Sequence, residues 1–91
     1  MAYPLEGIKV LDLTRALSGP FAARILSDLG ADVVKVEPPR GDLTRAYGSR
    51  IGGLSSHYTQ HNAGKRNVCI DLTAEGAAAL VAELADRKSV V

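Results

Sequence analysis

The hydrophobic period changes twice between Ile8 and Asp42, and this double change restricts the chain to a strand-helix-strand unit. Ile8, Val10, Leu11 and Leu13 are apolar around Lys9 and Asp12, which suits a strand covered on both faces better than strict alternation would. A loop is expected over residues 14–17. From Ser18 the spacing becomes helical, with an expected buried stripe of Ala22, Ile25, Leu26 and Leu29. Ser18 suits the N-cap, and Pro20 falls in the first turn, where a missing amide hydrogen costs little. Gly30 can take the left-handed conformation of a helix C-cap, and the β-branched Val33, Val34 and Val36 then start a strand. Pro38 and Pro39 end it, because neither has an amide hydrogen for a ladder. Strand crossovers of this kind are right-handed in about 98% of cases and join parallel strands. Arg40, Gly41 and Asp42 therefore leave the sheet at the carboxyl end of a strand, where open α/β sheets bind ligands.

Downstream, a stretch rich in Gly, Ser, Tyr and His runs to Gly64, with one short helix expected over residues 56–62. Val68, Ile70 and Leu72 then alternate with Asn67, Cys69 and Asp71 as a third strand. Thr73 is the expected N-cap of a second long helix, whose stripe would be Ala77, Leu80, Val81 and Leu84. Ser89, Val90 and Val91 read as the start of another strand, so the chain looks like the front of something longer. It reads as free of repeats and of low-complexity tracts. The fold class is α/β: a Rossmann-like βαβ unit with parallel strands, an incomplete part of a larger fold.

Composition narrows the partners. A chain of 91 residues that is 46% apolar can hold one small core, and a net charge of +1 gives no argument for nucleic acid or a membrane surface. No apolar run approaches the roughly 18 residues of a membrane span, and the start lacks the order of a signal peptide. The lone Cys69 cannot form an internal disulfide, so a reducing, cytoplasmic setting and a buried structural thiol are expected.

The residues point to an anionic ligand without fixing it. A loop entering a helix N-terminus offers free amide hydrogens, so Leu17, Ser18 and Gly19 can cap the helix or hold a phosphate. Glu37 lies 18 residues beyond Gly19, roughly where a dinucleotide fold puts its ribose-binding acid, but the three-glycine fingerprint is absent. Arg15, Arg40, Lys65 and Arg66 flank strand ends, and either converge on phosphates or form a solvated surface. His57 and His61 have a metal-like spacing but no third ligand, so no metal is expected and exposed histidines are. Asp12, Asp42 and Asp71 have no recognisable acid-base partner, and Ser18 lacks the GxSxG elbow of an esterase. No catalytic residue is identified.

Longer motifs say more. Pro4-Leu5-Glu6-Gly7-Ile8-Lys9-Val10-Leu11-Asp12-Leu13-Thr14, Ser18-Gly19-Pro20, and Leu29-Gly30-Ala31-Asp32-Val33-Val34-Lys35-Val36-Glu37-Pro38-Pro39 with Gly41-Asp42 resemble the start of the family III coenzyme A transferases. The likeness continues through Asn62-Ala63-Gly64-Lys65-Arg66-Asn67-Val68 and Asp71-Leu72. It implies that residues 1–91 are the amino-terminal part of a CoA-binding Rossmann-like domain in a longer acyl-CoA transferase. Such an enzyme moves CoA from an acyl-CoA to a carboxylic acid acceptor, has no tightly bound cofactor and forms interlocked homodimers. By the same resemblance, Leu17 and Ser18 touch CoA, and Ile70, Asp71, Leu72 and Thr73 line the adenosine pocket. Pro38 stands where some members have a CoA-binding arginine, so that role falls to Arg40. Leu17 stands where formyl-CoA transferases carry a glutamine. The family's catalytic aspartate lies beyond Val91. An α-methylacyl-CoA racemase piece is the alternative within the family; a non-catalytic nucleotide-binding module or an inert truncation is the alternative outside it.

Overall fold

The computed structural model describes residues 3–15, 18–46, 50–51, 54–86 and 89–90. Strand β1 (Lys9–Asp12), helix α1 (Ser18–Asp28) and strand β2 (Asp32–Glu37) come first. A 3₁₀ turn (Leu43–Ala46), a hairpin of β3 (Arg50–Ile51) and β4 (Leu54–Ser55), and helix α2 (Ser56–Asn62) follow. Strand β5 (Arg66–Cys69), helix α3 (Ala77–Ala85) and strand β6 (Ser89–Val90) complete the order. The main sheet runs β5-β2-β1-β6 with every pairing parallel. The chain thus adds two strands on one side of β1 and then returns to the other side, so the strand order reverses between β1 and β6. Sheets of this kind open a crevice at the carboxyl ends of their strands near such a reversal. Ser89 and Val90 do form a strand, pairing with Val10 and Leu11.

Both faces of the sheet are covered, as the nearly continuous apolar run of β1 requires. Successive residues point to opposite faces, so Val10 and Val33 meet Ala23, Ala31, Leu5 and Leu26 on the α1 side. Leu11 and Val36 meet Ile70, Ala77, Val81 and Leu84 on the α3 side. The expected stripe of α1 is shifted, and that of α3 holds at Ala77, Val81 and Leu84 but not at Leu80. In α1, Pro20 and Ala23 are buried and Leu26 is half-buried, while Ala22, Ile25 and Leu29 are exposed. The small Ala23 lets the helix approach the sheet along a narrow seam, and the larger side chains beside it fall outside that seam. In α3, Ala77 is buried and Leu80 is exposed. This helix starts after Gly76, which has φ +84°, and not after Thr73. The Asp71 carboxylate captures the Thr73 amide and hydroxyl at 3.0 and 2.6 Å, so Thr73 is held in a turn before the helix. Cys69, expected to be buried, is exposed because it ends an edge strand.

The end of α1 is set by Gly30. Its φ is +105°, its amide donates to Ser27 O at 2.9 Å, and the Ala31 amide donates to Leu26 O at 3.1 Å. Those two bonds make a Schellman cap, and Ala31 packs in the same cluster as Leu26. A Cβ at Gly30 would also lie 2.4 Å from Tyr3 Cβ. Gly30→Ala is therefore expected to cost at least about 1–2 kcal/mol, the left-handed penalty alone, read as a lower urea midpoint.

Candidate functional site

Three strands end in the same three-residue sequence. Asp12-Leu13-Thr14 follows β1, Asp42-Leu43-Thr44 follows β2 after the Pro38–Gly41 turn, and Asp71-Leu72-Thr73 follows β5. Each forms the same turn: the first Asp oxygen accepts both the amide and the hydroxyl of the Thr two residues on. The chain has no domain-scale repeat, but this short signature recurs at every strand end that borders the site.

The turns surround a cavity of about 480 Å³ at the carboxyl ends of β1, β2 and β5. Leu13, Thr14 and Arg15 line one side, the Lys35 to Arg40 segment and Asp42 the floor and second side, and Asp71, Leu72 and Thr73 the third. Leu13 and Leu72 are exposed apolar residues at its rim. Arg15 and Arg40 are exposed and make no hydrogen bond or ion pair with a described residue.

Beneath and beside the cavity lies a layer of charge, buried except for the exposed Arg45. Three carboxylates are matched by three cations: Asp12 with Lys65 at 2.7 Å, Asp42 with Lys35 at 2.9 Å, and Glu37 with Arg45 at 2.7 Å. Burying charge is costly unless every lone pair and proton is used, and the pairs are embedded in further bonds. Lys65 also donates to Pro20 O at 3.0 Å and Asn62 Oδ1 at 2.7 Å. Lys35 donates to Thr14 O at 3.3 Å. Glu37 accepts from both Arg45 nitrogens, the Asp42 amide, Tyr58 and Asn67. Among the described residues no buried side-chain nitrogen or oxygen is without a partner.

These contacts shift the titration of Glu37, Asp42, Tyr58 and Lys65. Burial pushes the Glu37 carboxyl up, but hydrogen bonds from Arg45, Tyr58, the Asp42 amide and Asn67 outweigh it and hold the pKa at about 2. Asp42 is likewise below the usual carboxylate range, with burial opposed by the Thr44 amide and by Lys35. Burial and the bond to Glu37 push the Tyr58 hydroxyl up to about 12. Burial lowers the Lys65 ammonium, with Asp12 opposing it.

The residues expected at the site separate into groups. Arg40, Asp71, Leu72 and Thr73 line the cavity, joined by Arg15. Ile70 lies beside them but is buried in the core against α3. Ser18 is exposed at the first turn of α1 and is not part of the cavity wall. Leu17 lies outside the described residues. Glu37 is not free to bind a ribose, because its carboxylate is filled by protein donors. Lys65 is committed to Asp12, and Arg66 pairs with Asp32 at 2.6 Å at the amino end of the sheet, so neither converges on the cavity. His61 is buried against Phe21, contrary to the expected exposure, and its Nδ1 sits 2.9 Å from His57 O. No group of three metal-ligating residues occurs among the described residues.

Lys35, Thr44, Tyr58 and Asn67 were not visible as site-forming residues. One signal for Lys35 was present: a lysine inside a valine-rich strand covered on both faces must have a buried partner. The triplicate Asp-Leu-Thr was the other.

Comparisons with known proteins identify the family and the fold. The chain is 43% identical over 93 residues to the "Probable fatty acyl-CoA transferase Rv3272" of Mycobacterium tuberculosis, covering 99% of this chain and 24% of that protein. It is 42% identical over 89 residues to the acetyl-CoA:oxalate CoA-transferase of Acetobacter aceti, covering 97% and 23%. A crystal structure of Rv3272 superposes with a TM-score of 0.86 at 41% identity, covering 98% of this chain and 25% of that one. The chain spans about a quarter of the length of these relatives. The family model described as CoA-transferase family III matches residues 5–91. The chain belongs to CoA-transferase family III.

Proposed function

We propose that residues 1–91 are the amino-terminal part of the CoA-binding domain of an enzyme that moves CoA from an acyl-CoA to a carboxylic acid. The observation that carries this reading is the cavity where Arg15 and Arg40, neither of which has a partner among the described residues, stand beside the exposed Leu13 and Leu72. Phosphates suit the arginines, which can form bidentate charge-assisted bonds, and a flat apolar ring suits the leucines. The CoA-contacting set in the cavity is Arg40, Asp71, Leu72 and Thr73, with Arg15 added because it shares the cavity; Leu17, Ser18 and Ile70 belong to the set by the family resemblance alone. The transferase branch is favoured over the racemase branch because the relatives above are named as transferases.

The chemistry of such an enzyme is covalent. An enzyme carboxylate attacks the thioester carbon, giving a mixed anhydride and CoA thiolate. The thiolate attacks the enzyme's carbonyl carbon of that anhydride, releasing the donor acid as its carboxylate and leaving an enzyme-CoA thioester. The acceptor carboxylate then displaces the thiolate to form a second anhydride, and the thiolate attacks the acceptor's carbonyl carbon, forming the new acyl-CoA and freeing the enzyme carboxylate. The nucleophile belongs, by the family resemblance, to a segment beyond Val91, and the role of this chain is to hold the nucleotide end. A second copy of the complete protein, interlocked with the first, is the expected partner, and no tightly bound cofactor is required. No helix among the described residues is long and apolar enough to cross a membrane.

Calorimetric titration tests this reading. CoA is expected to bind in preference to NAD, with affinity falling as salt rises. Arg40→Ala should weaken CoA binding by roughly 1.5 to 3 kcal/mol, the scale of a hydrogen bond to a charged group. Equal binding of CoA and NAD, or an affinity unchanged by Arg40→Ala, would remove the arginine from the site.

A further inference from the structure

We propose that Lys35 is a positioning residue that straps the two arginine-bearing walls of the cavity together and so sets the spacing at which Arg15 and Arg40 meet an anionic ligand. One wall is the turn after β1 and the other is the loop after β2. Lys35 Nζ reaches both, donating to Thr14 O at 3.3 Å on the first and to Asp42 Oδ2 at 2.9 Å on the second. Its side chain is 1% exposed, so these bonds are made in a place where water does not compete.

Each wall is also held to the strand it follows. The Thr14 amide and hydroxyl are bound by Asp12 at the end of β1. The Asp42 amide is bound by Glu37 at the end of β2. Lys35 joins the two walls directly, through Thr14 on the first and Asp42 on the second. Arg15 follows Thr14 directly, and Arg40 precedes Asp42 by two residues. A long side chain such as arginine can reorient by itself, but two of them can hold one ligand at low entropic cost only if their backbones keep a fixed separation. Lys35 lies in the floor of the cavity but is already bonded to protein, so it acts through the walls and not as a ligand contact. Its Nζ also lies 6.0 Å from the centroid of the Tyr58 ring.

The ligand half of this proposal rests on the CoA reading above; the strap itself does not. Two variants separate them. Lys35→Met keeps the length of the side chain and removes its donors, but leaves the Asp42 carboxylate buried without its cation. Lys35→Met combined with Asp42→Asn removes both charges and keeps an oxygen for the Thr44 amide, so it is the variant expected to fold where the single one does not. Amide hydrogen exchange reads the strap without any ligand. In a folded variant, the Thr14, Asp42 and Thr44 amides are expected to exchange faster, while Leu11 and Val33 in the sheet keep their protection. Unchanged exchange at Thr14 and Asp42 in the folded double variant would overturn the strap.

CoA titration then reads its consequence. The double variant is expected to bind CoA at least about fivefold more weakly than the parent, and in an Arg15→Ala/Arg40→Ala background the same change should cost less than about twofold. A purely stabilising role would lower the melting temperature and leave the affinity of the folded variant intact, which would contradict the proposal. If the parent chain itself does not bind CoA, the CoA reading fails, and the exchange result alone decides the strap.

Discussion

Glu37→Ala is expected to lower the unfolding free energy by about 3–5 kcal/mol, the range for removing one partner of a buried ion pair. The carboxylate is buried and is shared by Arg45, Tyr58, Asn67 and the Asp42 amide, so its loss strands donors from four positions. Small domains have only about 5–15 kcal/mol in total, so chemical denaturation should show most of the transition lost. The same group predicts a pH dependence. Its folded pKa of about 2 lies below the ordinary value of 4.5, so the folded state favours the ionised form. That contribution is fully present above pH 4.5 and is lost as pH falls from there towards 2. Asp42, shifted in the same direction, adds to the loss. Melts between pH 7 and pH 3 should show declining stability in the parent chain and a shallower decline in a folded Glu37→Gln variant. Parallel curves would show that the Glu37 cluster does not hold the fold.

Leu11→Ala is expected to cost about 3 kcal/mol, within the range for buried leucine truncation. Leu11 is fully buried at the centre of the cluster that joins β1 to Val36, Ile70 and Ala77. Leu80→Ala is the contrasting case: Leu80 is exposed, so its loss should change stability by no more than about 0.5 kcal/mol. Both leucines belong to apolar patterns in the sequence, and a urea series on the two variants separates the packed position from the merely periodic one. Equal costs would mean that α3 is rotated relative to the sheet.

That contrast also shows how far the sequence could be read. The strand-helix-strand order, the parallel pairing, the Gly30 cap, the short helix over Ser56–Asn62 and the strand at Ser89 were legible because each rests on local chemistry. Which helical residues face the sheet was not, since Ala23 and Ile25 differ in burial through the closeness of α1 to β1 and β2, a tertiary quantity. Thr73 was misplaced because two capping signals competed, and Asp71 won it for a turn while Gly76 opened the helix. Among the cations, position relative to a strand end could not distinguish Arg40, which has no partner among the described residues, from Lys65, which is consumed by Asp12. That distinction depends on contacts across 53 residues of chain. The acids were misread for the same reason: Glu37 resembles a ligand-binding carboxylate in spacing and is a structural clamp in space.

The central claim is that CoA docks at the carboxyl ends of β1, β2 and β5, against Arg15 and Arg40. The most direct test is an amide-resolved NMR titration of the chain with CoA, with NAD as the comparison. Saturable shifts are expected at Thr14, Arg15, Arg40 and Asp71 to Thr73, and much smaller shifts at the same amides with NAD. Shifts centred instead on the outer face of α1, at Phe21, Ile25 and Leu29, or no saturable shift with CoA at all, would contradict it.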